Sequence, residues 1–154
     1  MRTEPDSEVR GAIPIFDESA LAAFLASQPD ILVAYLFGSL AQGRARPGSD
    51  VDVAILLTDA SDVLAVADRR LSLMAAAERF ATGDVDVVIL NNASSVLQHE
   101  VLRTRHVIYQ RSRNARVDFE VRAGKIYADE QWHRDFFTQA ICAELREGRF
   151  GGRR

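Results

Sequence analysis

Three observations predict an α/β (α+β) fold, a short mixed sheet flanked by helices with a C-terminal helical extension. Four runs rich in Val, Ile, Leu, Tyr and Phe, at 31–37, 51–57, 85–90 and 106–110, have strand length and strand composition. Segments with apolar residues three and four apart lie before the first run, between the second, third and fourth, and after the last. The first two runs are joined by a loop too short for a helical crossover, so they are expected to pair antiparallel. The order α-β-β-α-β-α-β-α follows, with the helices expected against one face of the sheet rather than a doubly wound parallel sheet.

In chain order, Asp17 is a suitable N-cap for a helix whose Ala20, Leu21, Phe24 and Leu25 follow helical spacing, and Pro29 stops it. The unbroken apolar run Ile31 to Phe37 predicts a strand buried on both faces, with Tyr35 in the core. Gly38-Ser39 ends it, and Leu40 to Gln42 fits a short helical turn. Val51 to Leu57 is a second apolar strand interrupted by Asp52. Ser61 is a candidate cap for a helix with Leu64, Ala67, Leu71 and Met74 at inward spacing, ending at Thr82-Gly83. Val85 to Leu90 is again interrupted by one acid, Asp86. Ser94 or Ser95 caps a helix carrying Leu97 and Val101, and His106 to Gln110 is the fourth strand. From Arg113 the composition is helical, with Gly124 and Asp129-Glu130 as candidate kinks. Its aromatics, Phe119, Tyr127, Trp132, Phe136 and Phe137, are expected mostly in the core, some at a partner surface, and Cys142 is expected to be buried. Residues 15–112 form the expected core and 113–147 a helical extension of the same domain, while 1–14 and 148–154 are expected to be flexible.

Composition narrows the function. With 154 residues the chain is long enough for a core without staples, and 47% hydrophobic with 27% charged residues is ordinary for a globular domain. A net charge of -3 argues against a stable nucleic-acid binder, which is usually basic. One cysteine excludes an intramolecular disulfide and a cysteine metal cluster. No apolar run approaches the ~20 residues that span a bilayer, and MRTEPDSEVR lacks the apolar core of a secretion signal, so a cytoplasmic location without membrane contact is expected.

The informative stretch is LFGSLAQGRARPGSDVDVAILL, residues 36–57. Asp50 and Asp52 are two apart on a strand, so they point to one face while Val51 and Val53 turn to the other. Two carboxylates held that close repel unless a cation lies between them, and oxygen ligands with room for water and phosphate suit magnesium. Asp86 interrupts the next strand as Asp52 interrupts its own; if the strands are neighbours, three acids gather. Three acids can hold two metals across an in-line phosphoryl displacement. Gly38 permits close backbone approach to an anion and Ser39 adds a donor. Each element alone is weak: Asp-x-Asp also suits a solvated strand start, and Asp86 a charge on an edge strand. Asp84, beside Gly83, fits the turn better than a ligand position.

Gly38-Ser39, ten residues, then Asp50-Val51-Asp52 resembles the signature of the DNA polymerase β-like nucleotidyltransferase superfamily. The small size and VDVVILNNASSVLQHEVL resemble its minimal nucleotidyltransferase branch, the MntA-type antitoxins, over roughly residues 20 to 127. The resemblance implies a nucleotidyltransferase fold, ATP as substrate and two Mg2+ ions. It implies that Gly38 and Ser39, with Ser49 beside Asp50, serve the nucleotide, that Asp50 and Asp52 bind both metals, and that Asp86 binds the catalytic metal and promotes deprotonation of the attacking hydroxyl. It further implies a HEPN-domain toxin as partner, silenced by AMP transfer to a tyrosine hydroxyl within a hetero-oligomer. One departure is Gln42, where the family often carries Arg; Arg44 and Arg46 are candidate replacements, and both equally suit a solvated loop. Two other functions remain open on these residues: an antitoxin that acts by binding with an idle site, and a small-molecule nucleotidyltransferase of the aminoglycoside type. The latter usually needs a further domain to shape its acceptor pocket.

Overall fold

The structure, a computed structural model, describes residues 12–146. The expected flexible tail 148–154 and all but the last residues of the expected arm 1–14 lie outside the described residues. From Ala12 the chain is pinned: the Gly48 amide donates to the Ala12 carbonyl, and Ile15 exchanges hydrogen bonds with Thr82.

The elements are α1 (Glu18–Ala26), β1 (Ile31–Phe37), the single turn α2 (Gly38–Ala41), β2 (Val51–Leu57), α3 (Val63–Ala77), β3 (Val85–Ile89), α4 (Ser95–Thr104), β4 (His106–Gln110) and α5 (Arg113–Arg146). The strands form one mixed sheet in the order β3-β2-β1-β4. β1 runs antiparallel to β2 and to β4, whereas β2 and β3 are parallel, with α3 as the crossover between them. Asp17 caps α1 through the Ala20 amide and Ser94 caps α4 through the Leu97 amide.

Helices cover both faces of the sheet, not one. Successive β1 residues explain why: Ala34 and Leu36 pack with Leu21 and Leu25 of α1 and Leu73 and Ala77 of α3. Val33, Tyr35 and Phe37 pack with Val101 of α4 and with Phe119 and Ala123 of α5. A strand apolar on both sides needs a layer on each.

α3 differs from expectation in cap and face. Asp62, not Ser61, caps it, through the Leu64 and Ala65 amides. Its inward stripe is Val66, Arg70, Leu73, Met74 and Ala77, while Leu64, Ala67 and Leu71 face outward. The helix ends at Ala77, and a 3-10 turn, Glu78–Phe80, precedes Thr82-Gly83. α5 is one continuous helix through Gly124, Asp129 and Glu130. A glycine costs a helix only about 1 kcal/mol relative to alanine, too little to divide a helix of 34 residues anchored by packing against α4 and β1. Only its first half lies on the sheet. Phe119 is therefore buried and Tyr127 half-buried, whereas Trp132, Phe136 and Phe137 are exposed, as is Cys142, because no described element lies opposite them.

α5 is also tied to the sheet by a polar cluster. Tyr35, fully buried, donates its hydroxyl to Glu120 Oε1 at 3.1 Å, and Glu120 also receives Arg105 and Arg116. Burial, then the charge of Glu120, raises the Tyr35 hydroxyl pKa well above its ordinary value, so it stays a donor. Tyr35→Phe is expected to lower unfolding free energy by about 0.5–1.5 kcal/mol, read by urea denaturation; an unchanged midpoint would show that the cluster adds no net stability.

Candidate functional site

β1 delivers the first part of the site. Phe37 is extended and Gly38 turns into α2 with φ +71, a conformation open to glycine at no steric cost. Its amide lies 3.4 Å from Thr104 Oγ1 at the end of α4. Phe37 is the cross-strand partner of Asp52, so the β1 end and the acid are adjacent by register. The approach is tight: a Cβ placed on Gly38 would collide with Asp52 Oδ2 and lie 3.1 Å from its Cγ.

β2 and β3 deliver the acids. Asp52 and Asp86 are directly paired in the parallel register, on the face opposite Val51, Val53, Val85 and Val87. Asp50 precedes β2 by one residue and is exposed, while Asp52 and Asp86 are half-buried. The Asp52 carboxyl is pushed above the usual carboxylate range, first by burial and then by the charges of Asp50 and Asp86. Crowding of like charge around a partly desolvated acid is the electrostatic condition that a divalent cation relieves, and an all-carboxylate donor set fits a hard ion such as magnesium. The acids are gathered without converging: among the described residues, no three His, Cys, Asp or Glu side chains stand close enough to hold one ion together as they are. Asp86 is instead engaged by Arg70, whose Nη2 donates to Oδ1 at 2.8 Å.

The connecting loop is ordered by its own contacts. Ser49 Oγ accepts from the Arg46 amide at 2.8 Å, closing the turn before Asp50. Gln42 donates to the Gly38 carbonyl, and its Oε1 accepts from Arg44. Arg44 thus stands against Gln42, and Arg46 is exposed. Asp84 lies outside β3, with its carbonyl accepting from the Val51 amide, as the turn position expected for it requires. A cleft of about 700 Å³ opens beside Ser49 and Asp50, between Pro14, Glu78 and Asp84; it meets the carboxylates only through Asp50 and does not reach Gly38, Asp52 or Asp86.

Sequence reasoning missed two side chains beside these residues, Arg70 and Thr104. Arg70 carried a usable signal: it is the single charge on the stripe Val66-Arg70-Leu73-Ala77, visible once that stripe is taken as the inward one. Thr104, at the end of an amphipathic helix, had none.

The chain is similar to known proteins in sequence and in fold. The chain is 38% identical over 74 residues to the protein adenylyltransferase MntA of Shewanella oneidensis, an alignment covering 48% of this chain and 50% of that protein. The chain thus spans about half the length of the curated relative it matches. Among solved structures it is similar to a chain of a toxin–antitoxin complex with AMP-PNP, at 27% identity and a TM-score of 0.63, over 80% of this chain and 98% of that one. It is likewise similar to a chain of a mutant MntA toxin–antitoxin complex, at 26% identity and a TM-score of 0.64, over 82% and 98%. The fold is shared with a chain of the complex between a tri-AMPylated S. oneidensis HEPN toxin and an MNT antitoxin, at 24% identity and a TM-score of 0.58 over 81% and 96% of the two chains. The model of the polymerase beta nucleotidyltransferase family matches residues 19–114, and with Gly38 seated against Asp52, and Asp52 against Asp86, the chain belongs to that family.

Proposed function

We propose that this chain is an antitoxin that transfers AMP from ATP to a tyrosine hydroxyl of a HEPN-domain toxin, its partner in a hetero-oligomer. The observation that carries the chemistry is the Gly38–Asp52–Asp86 adjacency, which places a glycine turn suited to phosphate against carboxylates suited to a cation. The protein-directed acceptor is supported by similarity to a protein adenylyltransferase and to a toxin–antitoxin chain solved with AMP-PNP. The reading assigns 15–112 as the catalytic core and 113–147 as its helical extension. Among the described residues no helix is long and apolar enough to cross a membrane.

In this reading Gly38 and Ser39, with Ser49 shaping the loop, hold the triphosphate; Asp50 and Asp52 would hold two magnesium ions, with Asp86 a further ligand of the catalytic one. Magnesium there would neutralise the phosphates and the charge that builds on the departing pyrophosphate. Asp86 orients the acceptor hydroxyl and favours loss of its proton. The acceptor oxygen forms a bond to the α-phosphorus as the bond to the bridging oxygen breaks; pyrophosphate leaves, and the proton passes by way of Asp86 to solvent.

The test is the intact mass of the cognate toxin after incubation with this protein, ATP and magnesium. The expected result is one or more AMP-sized gains, lost when the target tyrosine is replaced by Phe. An unmodified toxin in a complex that still forms and still silences it would favour antitoxin action by binding alone.

A further inference from the structure

Arg70 has no part in the chemistry above. It occupies the inward stripe of α3 between Val66 and Leu73, where an apolar residue is the ordinary occupant. Its guanidinium turns around the outer edge of the sheet, where among the described residues β3 has no further strand beside it. Nε donates to the Val87 carbonyl and Nη2 to Asp86 Oδ1 at 2.8 Å. Arginine can grip a carboxylate with two parallel bonds; here one of those donors goes to backbone instead. Asp86 is thus held at one oxygen, and among the described residues no hydrogen bond engages Oδ2.

We infer that Arg70 is a positioning residue for the third carboxylate: it fixes Asp86 Oδ1 against the β3 edge and leaves Oδ2 to a divalent ion. The inference rests on the proposed reading of Asp50, Asp52 and Asp86 as metal ligands. Two further features support it. The hold is anchored at both ends, because Val87 belongs to the same strand as Asp86 and α3 is the helix that joins β2 to β3. One helix therefore carries the group that aligns the acid of β3 with the acid of β2. The guanidinium also hydrogen-bonds the carboxylate it holds, as a partner behind a metal ligand commonly does. Arg70 is the only described cation in ion-pair contact with any of the three.

The test is Mn2+ binding by the full chain with AMP-PNP present, followed by electron paramagnetic resonance, with circular dichroism confirming the fold of each variant. Arg70→Gln is expected to weaken Mn2+ binding roughly 10–100-fold, the usual loss for a partner behind a metal ligand. Arg70→Lys keeps the charge but cannot reach the carbonyl and the carboxylate together, so its binding is expected to be intermediate. Arg70→Gln added to Asp86→Asn is expected to weaken binding no further than Asp86→Asn alone. Unchanged or tighter Mn2+ binding in folded Arg70 variants, with Asp86→Asn weakened, would overturn the inference and leave Arg70 as an edge seal or a competitor of the metal. Should Arg70→Gln fail to fold, Arg70→Lys with wild-type Mn2+ affinity is enough to overturn it. Wild-type binding in Asp86→Asn would overturn the metal reading itself, a result distinguishable from failure of Arg70 alone.

Discussion

Asp52→Asn is expected to abolish nucleotidyl transfer, by roughly a thousandfold or more, while leaving the fold at least as stable as the parent. The loss follows from the role proposed for the acid: stabilisation of transition-state charge by a bound metal is worth several kcal/mol, and each ~1.4 kcal/mol is a factor of ten in rate. The retained stability follows from its surroundings. Asp52 is partly desolvated and faces Asp50 and Asp86, so its carboxyl pKa is raised in the folded chain. A carboxyl whose folded pKa lies above its unfolded one destabilises the fold when ionised; that cost sets in as the pH rises from the unfolded value through the folded one and is complete above it. At neutral pH the uncharged Asn removes the cost, and at pH values below both pKa values the two proteins should converge. Thermal melts from acidic to neutral pH read this directly. Magnesium with AMP-PNP should raise the melting temperature of the parent and much less that of Asp52→Asn, because only ligand bound to the native state stabilises it. A variant that melts well below the parent at neutral pH would show that Asp52 serves structure first.

Gly38→Ala is expected to be the most damaging single-methyl change near the site. Two costs coincide there. The backbone has φ +71, and an L residue in that region costs roughly 1–2 kcal/mol. The added Cβ also meets the Asp52 carboxylate, which must then turn away. Displacing a reacting group by about 1 Å can lower a rate about a hundredfold, so transfer should fall by at least that factor. Gly43→Ala separates the costs: Gly43 has φ +65 but nothing within 4 Å of a Cβ there. It should show the loss of stability without the loss of transfer measured by acceptor mass. Equal loss of transfer in both would mean that loop strain, not the Gly38–Asp52 approach, governs the site.

Much of the fold was legible because each strand is bounded by residues that cannot continue it. Pro29 and Gly38 frame β1, and the loop through Gly43, Pro47 and Gly48 frames β2 and forces the antiparallel pairing. Asp52 and Asp86 were legible as a pair because each interrupts an otherwise apolar strand, and the parallel register places them side by side. What was not legible was packing partner and direction. α3 carries apolar residues on two stripes, Leu64-Ala67-Leu71 and Val66-Leu73-Ala77, and periodicity cannot tell which meets the sheet. The true stripe also holds Arg70, a charge tolerated there because its long side chain reaches past the sheet edge to polar partners. The far half of α5 defeated the usual equation of aromatic with core, since Trp132 and Phe136 stack on each other beyond the end of the sheet. Coverage on both faces was implicit in the burial of consecutive residues in β1, an observation stronger than the one-face layout inferred from element order.

The central claim is that the glycine turn and the three acids direct attack on the α-phosphorus of a nucleoside triphosphate. It is tested by supplying the protein and its cognate toxin with magnesium and ATP radiolabelled on the α-phosphorus in one sample and on the γ-phosphorus in another. The expected result is label on the toxin from the α-position alone, with pyrophosphate released and no transfer by Asp52→Asn. Label from the γ-position, or none on a toxin that is bound and carries its target tyrosine, would contradict it.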